Sequence, residues 1–129
     1  MTKKFAELTA LIPKIKDWMI ENEGITEEQP FWYHHEVENE FIKTLSHFGE
    51  THPEFEYTRY GETLKEHGIE WGETSMEEAD VSGMDAKGVI ALLTGAFRAD
   101  HFCYGELLIF FEKGCILRWL ERLNEIDNR

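Results

Sequence analysis

The sequence predicts an all-α or nearly all-α protein: a single compact bundle of about five to six helices over residues 1–129, with room for a small edge hairpin near residues 54–60. Three observations carry this. Apolar residues recur at steps of three and four through most of the chain, as they do on one face of a helix. No alternating, period-two stretch extends beyond four residues. Between the periodic stretches stand helix starters and breakers: Gly24, Gly49, Gly68, Asp85 and Gly114.

Taken in order, Phe5, Leu8, Ile12, Ile15 and Met19 share one helical face. Pro13 falls inside that pattern and demands a kink or a restart near Thr9 or Leu11, because it lacks an N–H and clashes with the preceding turn. Val37, Phe41, Leu45 and Phe48 form the next stripe, with Glu36, Glu38 and Glu40 at the positive end of the helix dipole and Gly49 at the place of a left-handed cap. "EFEYTRY" comes closest to a strand. A short helix around "YTRYGETLKEHG" then ends at Gly68, and Ser75 with Glu78 makes a capping-box pattern sufficient for one helical turn. Asp85 caps a helix to about Arg98 that turns Val89, Leu92, Leu93, Ala96 and Phe97 inward. After a turn near residues 100–103 comes a helix with Leu107, Leu108, Phe110 and Phe111; Gly114 breaks it, and Ile116, Trp119, Leu120, Leu123 and Ile126 stripe the last.

Composition narrows the function classes. The chain is 42% hydrophobic and 13% aromatic, too apolar for a disordered acidic tail in spite of a net charge of −13. A chain of this length buries roughly two thirds of its unfolded surface. Residues 1–84 hold 19 acids and 7 bases, and the remainder 7 acids and 6 bases, so the charge is loaded into the front. Such a surface repels nucleic acid, which excludes binding through a basic face. No apolar run approaches the length of a membrane span, and "MTKKFAELTALIPKIKDW" places Lys14, Lys16 and Asp17 where a signal peptide would be apolar. Cys103 and Cys115 make no CxxC motif; they read as reduced thiols of a cytoplasmic protein.

Two stretches, "YHHEVENEFIKTL" and "FRADHFCYGELLIFFEKGCILRWLERLNEI", resemble a widespread set of small bacterial proteins known only as a domain of unknown function, number six-five-zero-eight. The positions carrying the resemblance are Val37, Phe41, Arg98, Asp100, Phe102, Gly105, Glu112, Gly114, Ile116, Leu117, Arg118, Leu120 and Leu123. It covers most of the chain from about residue 30, although a Trp-Pro pair of the family's middle segment is absent. The resemblance implies a helical bacterial domain and no particular activity.

Three constellations could carry chemistry. Arg98 and Asp100, at a helix end, suit an ion pair that ties the corner to Glu106 or Arg118, with Gly105 allowing close helix approach and Gly114 supplying a positive backbone angle. The alternative makes Arg98 an anion-binding group, with Asp100, His101, Tyr104 and the aromatics Trp32 and Trp71 completing a ligand site and His101 donating a proton. Cys103 at a helix start beside His101 has a setting that lowers a thiol pKa, but a lone cysteine between Phe102 and Tyr104 reads first as a small buried hydrophobe. His34, His35 and Glu38 have spacings at which a histidine and the glutamate share a helical face, so a metal site is open there, without an HExxH signature. "PFWY" and Trp71 read as aromatic plugs of the core, or else as a binding patch.

The expectation is a small cytoplasmic protein-binding or regulatory module without catalysis, whose partner has a basic surface. It needs no cofactor and meets neither nucleic acid nor membrane directly. An acidic mimic of nucleic acid that occupies a basic nucleic-acid enzyme is the first alternative. A small ligand- or metal-binding enzyme built on the Arg98–Asp100–His101 corner or on His34, His35 and Glu38 is the second. "CILRWLERL" serves equally as core or as the face of a homodimer.

Overall fold

A helix that is apolar on every side has to be surrounded, and residues 89–96 form such a run. In a computed structural model that describes residues 4–21, 36–55, 57–102 and 106–128, all eight of these residues are buried. They belong to the central helix, Ala86–Phe102. In chain order the elements are α1 (Ala6–Thr9), α2 (Ile12–Glu21), α3 (Glu36–Thr51), two 3₁₀ turns (Pro53–Phe55 and Tyr57–Arg59), α4 (Tyr60–Glu66), α5 (Glu73–Glu77), α6 (Ala86–Phe102), α7 (Glu106–Glu112) and α8 (Cys115–Asp127). The six longer helices make the bundle expected, and no strand occurs among the described residues.

α6 packs chiefly against α4 on one side and against α7 and α8 on the other, with α3 and the second 3₁₀ turn also touching it. α8 turns its stripe of Ile116, Trp119, Leu120 and Leu123, all fully buried, toward this centre and also carries α1 and α2. Aromatic edges lock the layers together. Phe111 of α7 meets Phe41 of α3 at 5.5 Å and Trp18 of α2 at 6.0 Å, both edge-on, a geometry that suits the ring quadrupoles. A second cluster joins Phe5, Phe48 and Phe55, with centroids 5.4–5.7 Å apart. The two ends of the fold meet where the Phe5 N–H donates to the Asp127 carboxylate at 3.1 Å.

The restart expected at Pro13 is present: α1 stops at Thr9 and Pro13 stands in the first turn of α2, where its missing N–H costs nothing. Elsewhere the structure corrects the expectation. Gly49 is not a left-handed cap but a buried position inside α3, which continues to Thr51 because the His52 N–H still reaches the Phe48 carbonyl at 2.9 Å. Pro53, which cannot donate, is the real stop. Where a hairpin had room near residues 54–60, the described residues form 3₁₀ turns; the Phe55 N–H returns to His52 and its ring enters the aromatic cluster. An isolated pair of strands would have no sheet to join. Ser75 does not cap α5, which starts after Gly72; its hydroxyl instead accepts the Glu70 N–H at 2.9 Å. α6 runs through the turn expected at residues 100–103 as far as Phe102. Gly24 and Gly105 lie outside the described residues.

Gly114 is the break between α7 and α8, with φ at +77°. Among the described residues only Met19 Cε, at 3.9 Å, approaches the place of a Cβ there, so space is not the constraint. Gly114→Ala should therefore lose about 1–2 kcal/mol through backbone conformation alone. Leu92→Ala, in the centre of α6, should lose about 2–5 kcal/mol through the cavity it leaves. Urea unfolding of both variants checks the contrast.

Candidate functional site

α4 approaches α6 closely because α6 offers glycine at two positions seven residues apart, hence on one face. A Cβ on Gly88 would lie 2.8 Å from the ring of His67, and one on Gly95 would lie 2.9 Å from Met76 Cε and 3.3 Å from Trp71 Cδ1. His67, the C-cap of α4, fills the first space. Its Nδ1 is 2.7 Å from the Thr63 carbonyl and its Nε2 is 2.9 Å from Asp85 Oδ1. The same Asp85 oxygen accepts the Gly88 N–H at 2.9 Å and so caps α6.

Both atoms facing the imidazole are acceptors, which favours the doubly protonated ring. The Thr63 carbonyl, and beyond it Asp85, hold the His67 pKa above its ordinary 6.5 against the opposing effect of partial burial. The Asp85 carboxyl is held below its ordinary value, first by the Gly88 N–H and then by the imidazole.

Trp71 sits between α4 and α5. Its Nε1–H donates to the Gly95 carbonyl at 3.0 Å, and its ring meets Tyr60 edge-on at 5.9 Å. It is nevertheless 42% exposed, so it is at once a lid on α6 and an accessible aromatic surface.

The Arg98–Asp100 corner is arranged differently from expectation. Because α6 continues to Phe102, the two residues are neighbours at i and i+2 on a helix and do not face each other. Asp100 instead accepts the Leu107 N–H at 3.3 Å and ties the end of α6 to the start of α7. Arg118 is committed elsewhere, donating to the Glu77 carbonyl at 2.8 Å. Arg98 is half-buried. His101 belongs to the last turn of α6 but its side chain lies outside the described residues, as do Trp32, His34, His35, Cys103 and Tyr104. Glu38 is on α3 and 1% exposed. Among the described residues no group of three or more His, Cys, Asp or Glu side chains is placed to hold a metal ion. Cys115 is a free, fully buried thiol whose pKa is pushed up by desolvation, the environment of an inert cysteine.

A groove of about 410 Å³ runs between the loop after α5 and the outer face of α8. Asp80, Glu121 and Glu125 line it against the single guanidinium of Arg118, and Leu117 supplies apolar surface. Asp80 receives the Ser82 hydroxyl at 2.7 Å and its N–H at 3.0 Å, which hold its carboxyl below the ordinary range and the loop in a tight turn. Lys113, in the turn between α7 and α8, pairs with Glu77 at 3.1 Å, and Arg122, nearly buried, donates to the Met84 carbonyl at 3.0 Å, so both ends of this loop are fastened, one to that turn and the other to α8. Sequence reasoning missed the groove and the His67–Asp85 pair. Only the capping role of Asp85 had a local signal, since its partner stands 18 positions away.

Gly88→Ala tests how tightly α4 and α6 are matched. Alanine is the better helix former by about 1 kcal/mol. The variant should still lose about 1–3 kcal/mol, because the new methyl meets a ring pinned at both nitrogens. A gain in stability in chemical denaturation would show that the ring yields freely.

Among the described residues no helix is long and apolar enough to cross a membrane. No curated protein and no solved structure matches the chain. A family model does match, over residues 2–129, almost from end to end, and the helical bundle is thus that family's architecture. The chain belongs to a family of unknown function (DUF6508).

Proposed function

We propose that this protein is a binding module without catalytic turnover, which offers the groove beside α8 to a basic segment of a partner protein. The groove carries the reading: Glu121 and Glu125 share its α8 wall with the guanidinium of Arg118, Asp80 stands on the loop wall, and half-buried Leu117 adds apolar surface to a cleft of about 410 Å³. That combination suits a lysine or arginine side chain whose methylene stem lies on the leucine while its charged head meets the carboxylates. The overall charge of −13 adds long-range attraction for the same class of partner and raises the rate of encounter. Two of the polar groups at the corner also help to build the fold, Asp100 at the start of α7 and Trp71 on the Gly95 carbonyl. A nucleic-acid mimic is a special case of the reading, in which the basic partner is an enzyme of nucleic acids.

A short lysine- and arginine-rich peptide, titrated into the labelled protein and followed by NMR, tests this. Shifts should concentrate at Asp80, Ser82, Leu117 and Glu121, and affinity should fall as salt is added. Glu121→Lys combined with Glu125→Lys should weaken binding about tenfold or more in a protein that still melts cooperatively. Shifts scattered over the acidic surface, or unchanged affinity in the double variant, would remove the groove from the proposal.

A further inference from the structure

His67 and Asp85 are the two ends of one excursion of the chain. Between them lie Trp71, whose indole reaches Gly95, Met76, whose methyl fills the second glycine space on α6, and residues 79–82, which wall the groove. The contact between Nε2 and Oδ1 therefore closes this excursion at its neck. We propose that the His67 imidazole, held between the Thr63 carbonyl and the Asp85 carboxylate in the space left by Gly88, is a proton-operated latch that fastens the segment of residues 68–84 to α6.

The chemistry follows from the partners. Each ring nitrogen faces an oxygen that can only accept, so both contacts are hydrogen bonds only when both nitrogens carry a proton. A neutral ring turns one lone pair toward either the carbonyl or the carboxylate and loses that bond. The charged groups around it act in the same direction. Asp85 at the start of α6 and Glu66 on α4 both favour the imidazolium, while Lys87 acts on Asp85 and helps to keep it ionised. The ring is partly exposed, at 22%, so a proton can leave without unfolding the protein.

The sign of the effect is fixed. A histidine whose folded pKa is raised contributes its full stabilisation below the unfolded value of 6.5 and loses it as pH rises through the folded value. Asp85, lowered in the fold, contributes above its unfolded value and fails only in acid. The latch is thus closed from mildly acid conditions up to the His67 midpoint and opens above it. This holds whatever occupies the groove.

The test follows His67 and the segment together in the full-length protein. The His67 ring proton is titrated by NMR between about pH 5 and 9, across the range in which histidine changes charge. Amide protection of residues 68–84 is measured at the same pH values, corrected for the intrinsic pH dependence of exchange. Protection should fall several-fold as pH passes the His67 midpoint while α8 keeps its own. Asp85→Asn retains a good cap for α6 but removes the charge; it should move the midpoint and the loss of protection to lower pH by the same amount. His67→Gln should abolish the pH-dependent step. A His67 midpoint at or below 6.5, flat protection through it, or equal losses in α8 would overturn the latch, and so would an Asp85→Asn protein in which the two transitions part. Should His67→Gln fail to fold, the other two proteins decide alone.

Discussion

The burial of residues 89–96, the middle of α6, is the constraint from which the architecture follows. A helix apolar on all sides cannot rest on a partner with one face; it requires neighbours around its whole circumference. α4, α7 and α8 supply them, α3 closes part of the remainder, and α1 and α2 pack in turn against α8. The consequence reaches the loops. Because α4 and α8 lie on different sides of α6, the chain between α4 and α6 must travel outward and return, and that return places residues 79–82 opposite α8. The groove is a by-product of surrounding one helix.

Polar contacts settle orientation more than stability. Lys14 with Glu40 joins α2 to α3, Glu7 with His47 joins α1 to α3, and Lys113 with Glu77 joins the turn after α7 to α5. Each is largely exposed and contributes about 0–1 kcal/mol. Their collective effect on charge is larger than their energy. Several of the few bases, Arg118 and Arg122 included, bind backbone or carboxylate within the protein, which leaves an uncompensated excess of acids facing solvent. An acidic exterior follows from where the bases are used as well as from their number.

The helical stripes were legible because each is a local, periodic property. Val37, Phe41, Leu45 and Phe48 are all buried, as are Ile116, Trp119, Leu120 and Leu123. Helix ends were legible where a single residue has an unambiguous preference, as at Pro13, Asp85 and Gly114. They were not legible where two signals competed. Gly49 suggested a stop, but burial and the next available acceptor carried α3 to Thr51, and Pro53 ended it. At the Arg98–Asp100 corner the expected turn gives way to a further turn of α6, and Asp100 makes the corner's tie through the Leu107 N–H. The His67–Asp85 pair and the groove had no sequence signal at all, because each brings together residues remote in the chain whose types are individually ordinary.

Gly88 and Gly95 give the α4–α6 contact a further property. At each, the space next to the α6 backbone is occupied by a side chain from outside that helix, His67 at the first and Met76 with Trp71 and Leu64 at the second. Volume there is shared between positions instead of belonging to either. A larger residue at position 95 would press on Met76, Trp71 and Leu64 at once, so it calls for a smaller residue among them. The two glycine spaces of α6 are thus filled as matched sets, Gly88 with His67 and Met84, and Gly95 with Met76, Trp71 and Leu64.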